Sequence, residues 1–179
     1  MSCSSNSSIA DRGRRRLLLG LGALACLSGR ALANEAPLAG LQRWGSGDYR
    51  RFGFLVYRAT LWAGDDPAVP PLALRLDYRR SIAGAAIAEA SVREMRRFVD
   101  DEPRLAGWGK RMASLFPDVV DGDHLVGLWL PEGARFLQGG RLLGEVRDPA
   151  FARAFFAIWL DARTSAPELR AALLTRGRG

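Results

Sequence analysis

The sequence predicts an α+β domain in which an antiparallel sheet carries helices on one face. Three observations lead to this fold class. Apolar residues first recur with the spacing of strands, and the spacing becomes helical at about Ser81. Two glycines between extended runs, Gly139 and Gly140, are typical of a hairpin. The resulting order is strands, two helices, three strands and two helices, and hairpin-linked strands with grouped helices favour an antiparallel sheet.

The stretch Arg50–Trp62 is typical of a central strand of this sheet. Its apolar residues fall on both alternation sets, as expected for a strand that is covered on both faces. Gly53 marks a position where a bend or a bulge is easily accommodated. In the lead-in before this strand, the spacing of Leu38, Leu41 and Trp44 is compatible with a first edge strand.

A surface loop and a second strand follow. Turn-forming residues are dense at 63–71, and strict alternation over Leu72–Tyr78 predicts a strand with one solvated face, nearer the sheet edge than the central strand. A helix is expected from about Ala83 to Phe98, and a second helix starts at Asp100–Pro103. The buried stripe of the second helix is predicted to be Leu105, Trp108, Met112 and Leu115.

The second half of the chain begins with a strand at His124–Leu130, followed by the glycine hairpin. This hairpin joins Arg135–Gln138 to Arg141–Val146, because two glycines tolerate the positive φ angles of a tight turn.

Two helices end the chain. Asp148-Pro149 predicts the start of a helix that runs through Leu160, with Phe151, Phe155 and Ile158 facing inward. The sequence Ser165-Ala166-Pro167-Glu168 has a capping-box pattern and predicts a last helix to about Leu174.

Residues 1–33 have the composition of a cleaved export signal. A polar, basic segment precedes the short apolar run Leu17–Leu27, and Ala31-Leu32-Ala33 offers the small side chains of a cleavage site. A run this short does not span a bilayer as a helix. Arg14-Arg15-Arg16 resembles a twin-arginine signal, with a general secretory signal as the alternative. We therefore expect a periplasmic or secreted protein with a single domain at residues 34–179 and no transmembrane segment after signal removal.

Charge and cysteine usage exclude several function classes. The formal net charge is +7, but the first 33 residues hold five arginines and one aspartate, which leaves +3 for residues 34–179. This excess is too small to predict nucleic-acid binding. Cys3 and Cys26 both lie in the segment expected to be removed, so we expect no disulfide, thiol nucleophile or thiolate metal site.

Other motifs for cofactors and metals are weak. His124 is the only histidine, which argues against a histidine metal site or a Ser-His-Asp triad. Asp121 and Asp123 lack the spacing of a calcium loop and are interpreted as turn residues. Gly45-Ser46-Gly47 lacks the third glycine and the following helix of a nucleotide loop. We expect neither a metal nor a cofactor.

Arg50 is the strongest candidate for binding. It sits just before the predicted central strand, where its guanidinium could grip a carboxylate at the mouth of an apolar pocket. The alternative is a surface arginine paired with Asp48 or with water.

Several short motifs, taken in order, resemble the bacterial chalcone isomerase-like family over nearly all of residues 38–174. The motifs are Gly45 to Arg50, Val56 to Trp62, Leu-x-Leu-x-Tyr at 74–78, Gly122-Asp123, Phe136 to Gly140, Phe155 to Leu160 and Thr164 to Arg170. The resemblance implies the chalcone isomerase fold, an open-faced β-sandwich of a large antiparallel sheet with a layer of helices on one face. This agrees with the element order.

The resemblance also implies roles for residues. In the superfamily, plant isomerases close a chalcone ring with an arginine before the central strand, a threonine within it, and a tyrosine and an asparagine on the helical layer. Related plant members without this activity bind fatty acids, with the arginine and a tyrosine holding the carboxylate. Arg50 matches the arginine, with Arg51 one step away, whereas the threonine position falls at Arg58 and Thr60 lies two residues further on. No asparagine follows Asn34, and no tyrosine lies on a predicted helix.

Three hypotheses follow. The first is an exported, non-catalytic domain that binds a small apolar carboxylic acid such as a fatty acid, through Arg50, Tyr57, Thr60, Tyr78, Thr164 and Ser165. The second is an isomerase of the chalcone isomerase type that uses Arg50, Tyr57 and Thr60. The third is an interaction or accessory module with a filled core and no pocket. The sequence identifies no protein partner.

Overall fold

Six strands and four helices make up the described part of the chain. The computed structural model describes residues 39–176, and the predicted export signal at residues 1–33 lies outside the described residues. The elements are β1 Gln42–Arg51, β2 Phe54–Ala63, β3 Leu72–Tyr78, α1 Gly84–Met95, α2 Glu102–Leu115, β4 His124–Leu130, β5 Gly133–Gln138, β6 Arg141–Val146, α3 Pro149–Leu160 and α4 Pro167–Leu174.

A hairpin replaces the single strand that was predicted at Arg50–Trp62. Phe52 and Gly53 form its two-residue turn with φ angles of 51° and 81°, the positive pair that a tight antiparallel hairpin requires. The prediction of one continuous strand is therefore wrong: Arg50 lies near the end of β1 and pairs with Leu55 of β2.

The strands form one antiparallel sheet in the order β1-β2-β3-β4-β5-β6. Each strand therefore pairs with its neighbour in sequence. This order places β2 next to the edge strand and β3 further inside, which reverses the prediction that β3 lies nearer the edge. The glycine hairpin between β5 and β6 is confirmed, with positive φ at both Gly139 and Gly140.

The main core lies between the helices and one face of the sheet. Leu61, Leu74 and Phe136 of the sheet pack there with Phe151 and Phe156 of α3, and all are buried. The α+β fold with helices on one face is thus confirmed. The other sheet face carries a separate apolar cluster that includes the cross-strand neighbours Trp62, Ala73 and Leu128.

Helix ends agree with the sequence where a side-chain cap is present. Asp148 accepts hydrogen bonds from the backbone N–H groups of Ala150 and Phe151 at the start of α3, and Asp101 accepts one from Arg104 at the start of α2. The first helix is shorter than predicted and ends at Met95. Within residues 39–176, none of the helices has the length and apolar character needed to cross a bilayer.

The two glycines of Gly45-Ser46-Gly47 allow α4 to approach β1 closely. A Cβ atom at Gly45 would lie 2.0 Å from the carbonyl oxygen of Ala172, and one at Gly47 would lie 2.9 Å from Leu169. Backbone and side chain of α4 occupy the space that any larger residue would need. This packing role accounts for a motif that lacked the features of a nucleotide loop.

Candidate ligand-binding cavity

A cavity of about 530 Å³ lies between the sheet and the helices. This volume is within the range of about 300–1,000 Å³ that is common for small-molecule sites. The sheet contributes Leu74, Leu76 and Gly127, and the helices contribute Ile87, Ala90 and Ile158. The third hypothesis required a filled core without a pocket. The presence of this cavity contradicts that requirement.

All three tyrosines of the chain form one row across the sheet at this cavity. Tyr49 of β1 pairs with Tyr57 of β2, which in turn pairs with Tyr78 of β3. The rings of Tyr49 and Tyr57 are stacked with centroids 4.9 Å apart, and Tyr57 meets Tyr78 edge to face at 6.0 Å. The row places phenol groups from three strands along one side of the cavity.

Two of these phenols are held neutral. Burial raises the pKa of Tyr57 well above its ordinary value, and a hydrogen bond from Trp159 only partly opposes the effect. Burial also raises the pKa of Tyr78. The indole Nε1 of Trp159 donates to the hydroxyl oxygen of Tyr57 over 3.0 Å, so the Tyr57 O–H is left to donate elsewhere. The Tyr78 hydroxyl makes no hydrogen bond to any residue within 39–176. Both groups can therefore serve as hydrogen-bond donors inside the cavity.

Arginines lie at the mouth of the cavity. Arg50 and Arg51 come from the β1–β2 hairpin, and Arg93 comes from α1. The side chain of Arg50 is 58% exposed, with Nη2 3.9 Å from a carboxylate oxygen of Asp48 and Nη1 3.4 Å from the carbonyl oxygen of Gly53. Both contacts are long, so the guanidinium is only loosely held and remains free to bind an anion.

The cavity becomes apolar away from the hairpin. Leu74 lies two residues deeper along β3 than Leu76. It pairs with Gly127 of β4, which in turn pairs with Phe136 of β5. Gly127 supplies no side chain here, and a Cβ atom at this position would lie 3.2 Å from the ring of Phe156. The strand register therefore gives the cavity two different ends: phenols and guanidinium groups near the hairpin, and aliphatic and phenyl groups deeper in the sheet.

Comparison with known proteins agrees with this architecture. A sequence model described as chalcone isomerase-like matches residues 45–175. The chain belongs to the chalcone isomerase-like family. Among solved structures, the chain is similar to the crystal structure of a fatty-acid binding protein from Arabidopsis thaliana, with a TM-score of 0.58 and 13% identity over 76% of this chain and 88% of that one. A search of curated proteins finds no match. The family resemblance is thus confirmed, and the structural similarity confirms the fold.

In this member of the chalcone isomerase-like family, Thr60 does not line the cavity. It pairs with Arg75 of β3 on the sheet face opposite to the helices, whereas Tyr57 lies on the helical side. The three residues named for the isomerase hypothesis, Arg50, Tyr57 and Thr60, are therefore not brought together.

Thr164 and Ser165 precede α4 but differ in position. Thr164 is buried; its hydroxyl donates to the carbonyl oxygen of Ile158 over 2.6 Å and accepts from the backbone N–H of Ala166 over 3.1 Å. It stabilises the turn and does not line the cavity. Ser165 is exposed and lines the mouth, and α4 has no side-chain cap. The predicted capping role of Ser165 is wrong, because Thr164 supplies the hydrogen bond to this turn.

Among the described residues that line the cavity, few could act as a general base. His124 does not line it, and burial together with the nearby Arg75 lowers the pKa of this imidazole. Glu94 is the one carboxylate among the lining residues that the structure describes, and Arg97 forms a 3.1 Å ion pair with it. Within residues 39–176, no cluster of three metal-binding side chains occurs. The described groups can orient an anion and donate hydrogen bonds.

Sequence reasoning missed Tyr49 and Trp159 as parts of this site. Tyr49 would have been found from the hairpin, because a turn at Phe52-Gly53 places Tyr49 close to Tyr57 across the strands. Trp159 is separated from Tyr57 by 102 residues, and no local pattern indicates their hydrogen bond.

Proposed function

We propose that this member of the chalcone isomerase-like family is a non-catalytic protein that binds a small apolar carboxylic acid such as a fatty acid. The observation that carries the proposal is the change of polarity along the cavity. Arg50 and Arg51 lie at one end, and Leu74 and Phe136 lie deeper. An acid with an apolar chain has the same distribution of polarity.

We propose that the carboxylate binds at the hairpin end. Arginine binds carboxylates through two parallel hydrogen bonds, and the loose contacts of Arg50 leave its guanidinium available. The neutral phenols of Tyr57 and Tyr78 add donors inside the cavity without adding negative charge. The apolar chain then lies against Leu74 and Phe136, deeper in the cavity.

Two further observations support binding over catalysis. Thr60 lies on the opposite sheet face, and the one carboxylate that lines the cavity is paired with Arg97. An acid–base reaction requires a group that accepts or delivers a proton within hydrogen-bonding reach of the substrate. The similarity to a fatty-acid binding protein from Arabidopsis thaliana supports the ligand class.

We also propose that the protein is exported and acts in the periplasm or outside the cell. The support is the basic segment, the short apolar run and the Ala31-Leu32-Ala33 site of the sequence. The test is the mass of the protein recovered from the extracytoplasmic fraction of its host. A mature N-terminus at Asn34 is expected, and a chain that retains residues 1–33 in the cytoplasm would contradict export.

Native mass spectrometry tests the binding function. The wild-type protein is expected to retain a fatty acid from its host or to take up added hexadecanoic acid. Ala90→Trp places an indole in the cavity, and we expect it to weaken uptake at least about tenfold, the effect of removing roughly 1.4 kcal/mol of binding free energy. Ala106→Trp, on an exposed position of α2, is the matched control and should bind as the wild type does. Absence of any bound acid together with no uptake of added acid would refute the proposal.

A further inference from the structure

The turn of the β1–β2 hairpin exposes two phenylalanines. We call Arg51–Phe54 the hairpin tip. Phe52 is 86% exposed and Phe54 is 63% exposed, the two highest values among the large apolar residues of the described range 39–176. Phe52 also has a φ of 51°, a left-handed conformation that is unusual for a bulky residue. The hairpin therefore holds two aromatic rings in solvent, although neither ring contributes to the core.

Arginines surround these rings. The guanidinium of Arg51 lies 5.3 Å from the ring centre of Phe52, and that of Arg80 lies 5.1 Å from the ring centre of Phe54. Arg79 is the exposed neighbour of Arg80. Among the residues that the structure describes, no carboxylate lies within 4.0 Å of the guanidinium groups of Arg51, Arg79 or Arg80. The tip is thus both aromatic and cationic.

We propose that the hairpin tip binds the surface of an anionic phospholipid bilayer. Aromatic rings partition into the boundary between head groups and acyl chains, and arginines beside them bind the phosphates. The two components occur together here: Phe52 and Phe54 supply the apolar contact, and Arg51, Arg79 and Arg80 supply the charge.

The size of the patch favours a bilayer over a protein partner. A phenylalanine buries about 150–250 Å² at most, so two of them supply a few hundred Å². A stable protein interface needs roughly 800 Å² from each partner. A convex tip of four residues does not approach this area, whereas insertion into a bilayer needs only the rings and the neighbouring cations.

The tip adjoins the mouth of the cavity. Arg51 belongs to the hairpin tip and also lines the cavity. Its neighbour Arg50, which precedes the tip, lines the cavity as well. Docking through the tip would therefore bring the mouth to the bilayer surface, where an apolar acid can enter or leave without crossing water. The docking itself goes beyond the proposed function and does not depend on a bound ligand.

Sedimentation with lipid vesicles tests the proposal. Vesicles of phosphatidylglycerol and phosphatidylcholine are compared with vesicles of phosphatidylcholine alone, using the chain as isolated. Every variant is prepared in the same form, so that its N-terminal residues contribute equally. The double variant Phe52→Ala/Phe54→Ala is expected to lose at least about tenfold in affinity for the anionic vesicles. The control Leu142→Ala removes a side chain that is 54% exposed on the β5–β6 hairpin and should bind as the wild type does.

The charged component has its own variants. Arg51→Gln and Arg80→Gln are each expected to weaken binding about fivefold, the effect of one cation near an anionic surface, and added salt should reduce this difference. Arg141→Gln, on the exposed start of β6, is the matched control. All six substituted positions, four at or beside the tip and two controls, are exposed, so the variants are expected to fold.

Hydrogen exchange locates the contact. With anionic vesicles present, backbone amides of residues 51–54 are expected to gain protection, while those of the Gly139-Gly140 turn are not. Wild-type affinity in the double phenylalanine variant would overturn the proposal, and so would equal binding to neutral and anionic vesicles. A wild-type protein that does not bind anionic vesicles would overturn it as well, whether or not the tip binds a protein instead.

Discussion

The hydrogen bond between Trp159 and Tyr57 leads to a prediction that separates stability from ligand binding. Tyr57→Phe removes the hydroxyl oxygen that accepts from the indole Nε1 at 3.0 Å and leaves the rest of the ring in place. A buried donor without a partner costs about 1–3 kcal/mol. Trp159 borders the cavity, where water can replace the lost acceptor in part. We therefore expect the free energy of unfolding to fall by about 1–2 kcal/mol.

Tyr78→Phe is the matched comparison. Its hydroxyl makes no hydrogen bond to any described residue, so the free energy of unfolding should change by less than about 0.5 kcal/mol. Urea unfolding followed by tryptophan fluorescence measures both variants. Each variant removes a donor to the proposed carboxylate and should weaken binding of hexadecanoic acid about tenfold. An equal or greater loss of stability in Tyr78→Phe would refute the assigned hydrogen bonding.

Three more predictions concern packing and pH. Gly45→Ala should lower the free energy of unfolding by about 3 kcal/mol, because the new Cβ would overlap α4, whereas Gly107→Ala, which meets nothing within 4 Å, should raise it by about 0.5–1 kcal/mol in the same urea experiment. Hydrogen bonds from Phe151, Trp108 and Ala150 outweigh the effect of burial and lower the pKa of Asp148. The ionised Asp148 carboxylate therefore contributes to the free energy of unfolding above its unfolded pKa, and this contribution is lost as pH falls through the folded pKa. Asp148→Asn should lower the free energy of unfolding by about 1 kcal/mol at pH 7 and by progressively less on acidification. Thermal unfolding measured across pH tests this. The raised phenol pKa values of Tyr57 and Tyr78 act in the opposite direction. Both phenols stay neutral in the folded and unfolded chain below about pH 10, and the free energy of unfolding should decline above that pH, more steeply in the wild type than in Tyr78→Phe.

The glycine turns show what could be predicted about the fold. Gly139-Gly140 was assigned correctly because both positions carry the residue that positive φ favours. The equivalent turn at Phe52-Gly53 was missed because its first position holds a phenylalanine, which rarely adopts such a conformation. Merging the two strands then placed Arg50 at the start of a central strand, although its location at the cavity mouth was anticipated.

The site was harder to predict because it depends on strand register. Tyr57 and Thr60 are three residues apart, so regular alternation places them on opposite faces of β2. The family resemblance did not indicate which of the two faces lines the cavity. The pairing of Tyr57 with Tyr78 depends on how β2 and β3 align across the loop at 64–71. A loop of this length does not fix the register, and only the packed core does.

The central claim is that the cavity recognises an acid through its carboxylate and an apolar chain through its depth. The most direct measurement is a paired titration by isothermal calorimetry with dodecanoic acid and with dodecanol, for the wild type and for Arg50→Ala/Arg51→Ala. The account predicts that the wild type binds the acid at least about tenfold more tightly than the alcohol, and that the double variant loses this preference. Equal affinity of the wild type for acid and alcohol, or no binding of either, would contradict it.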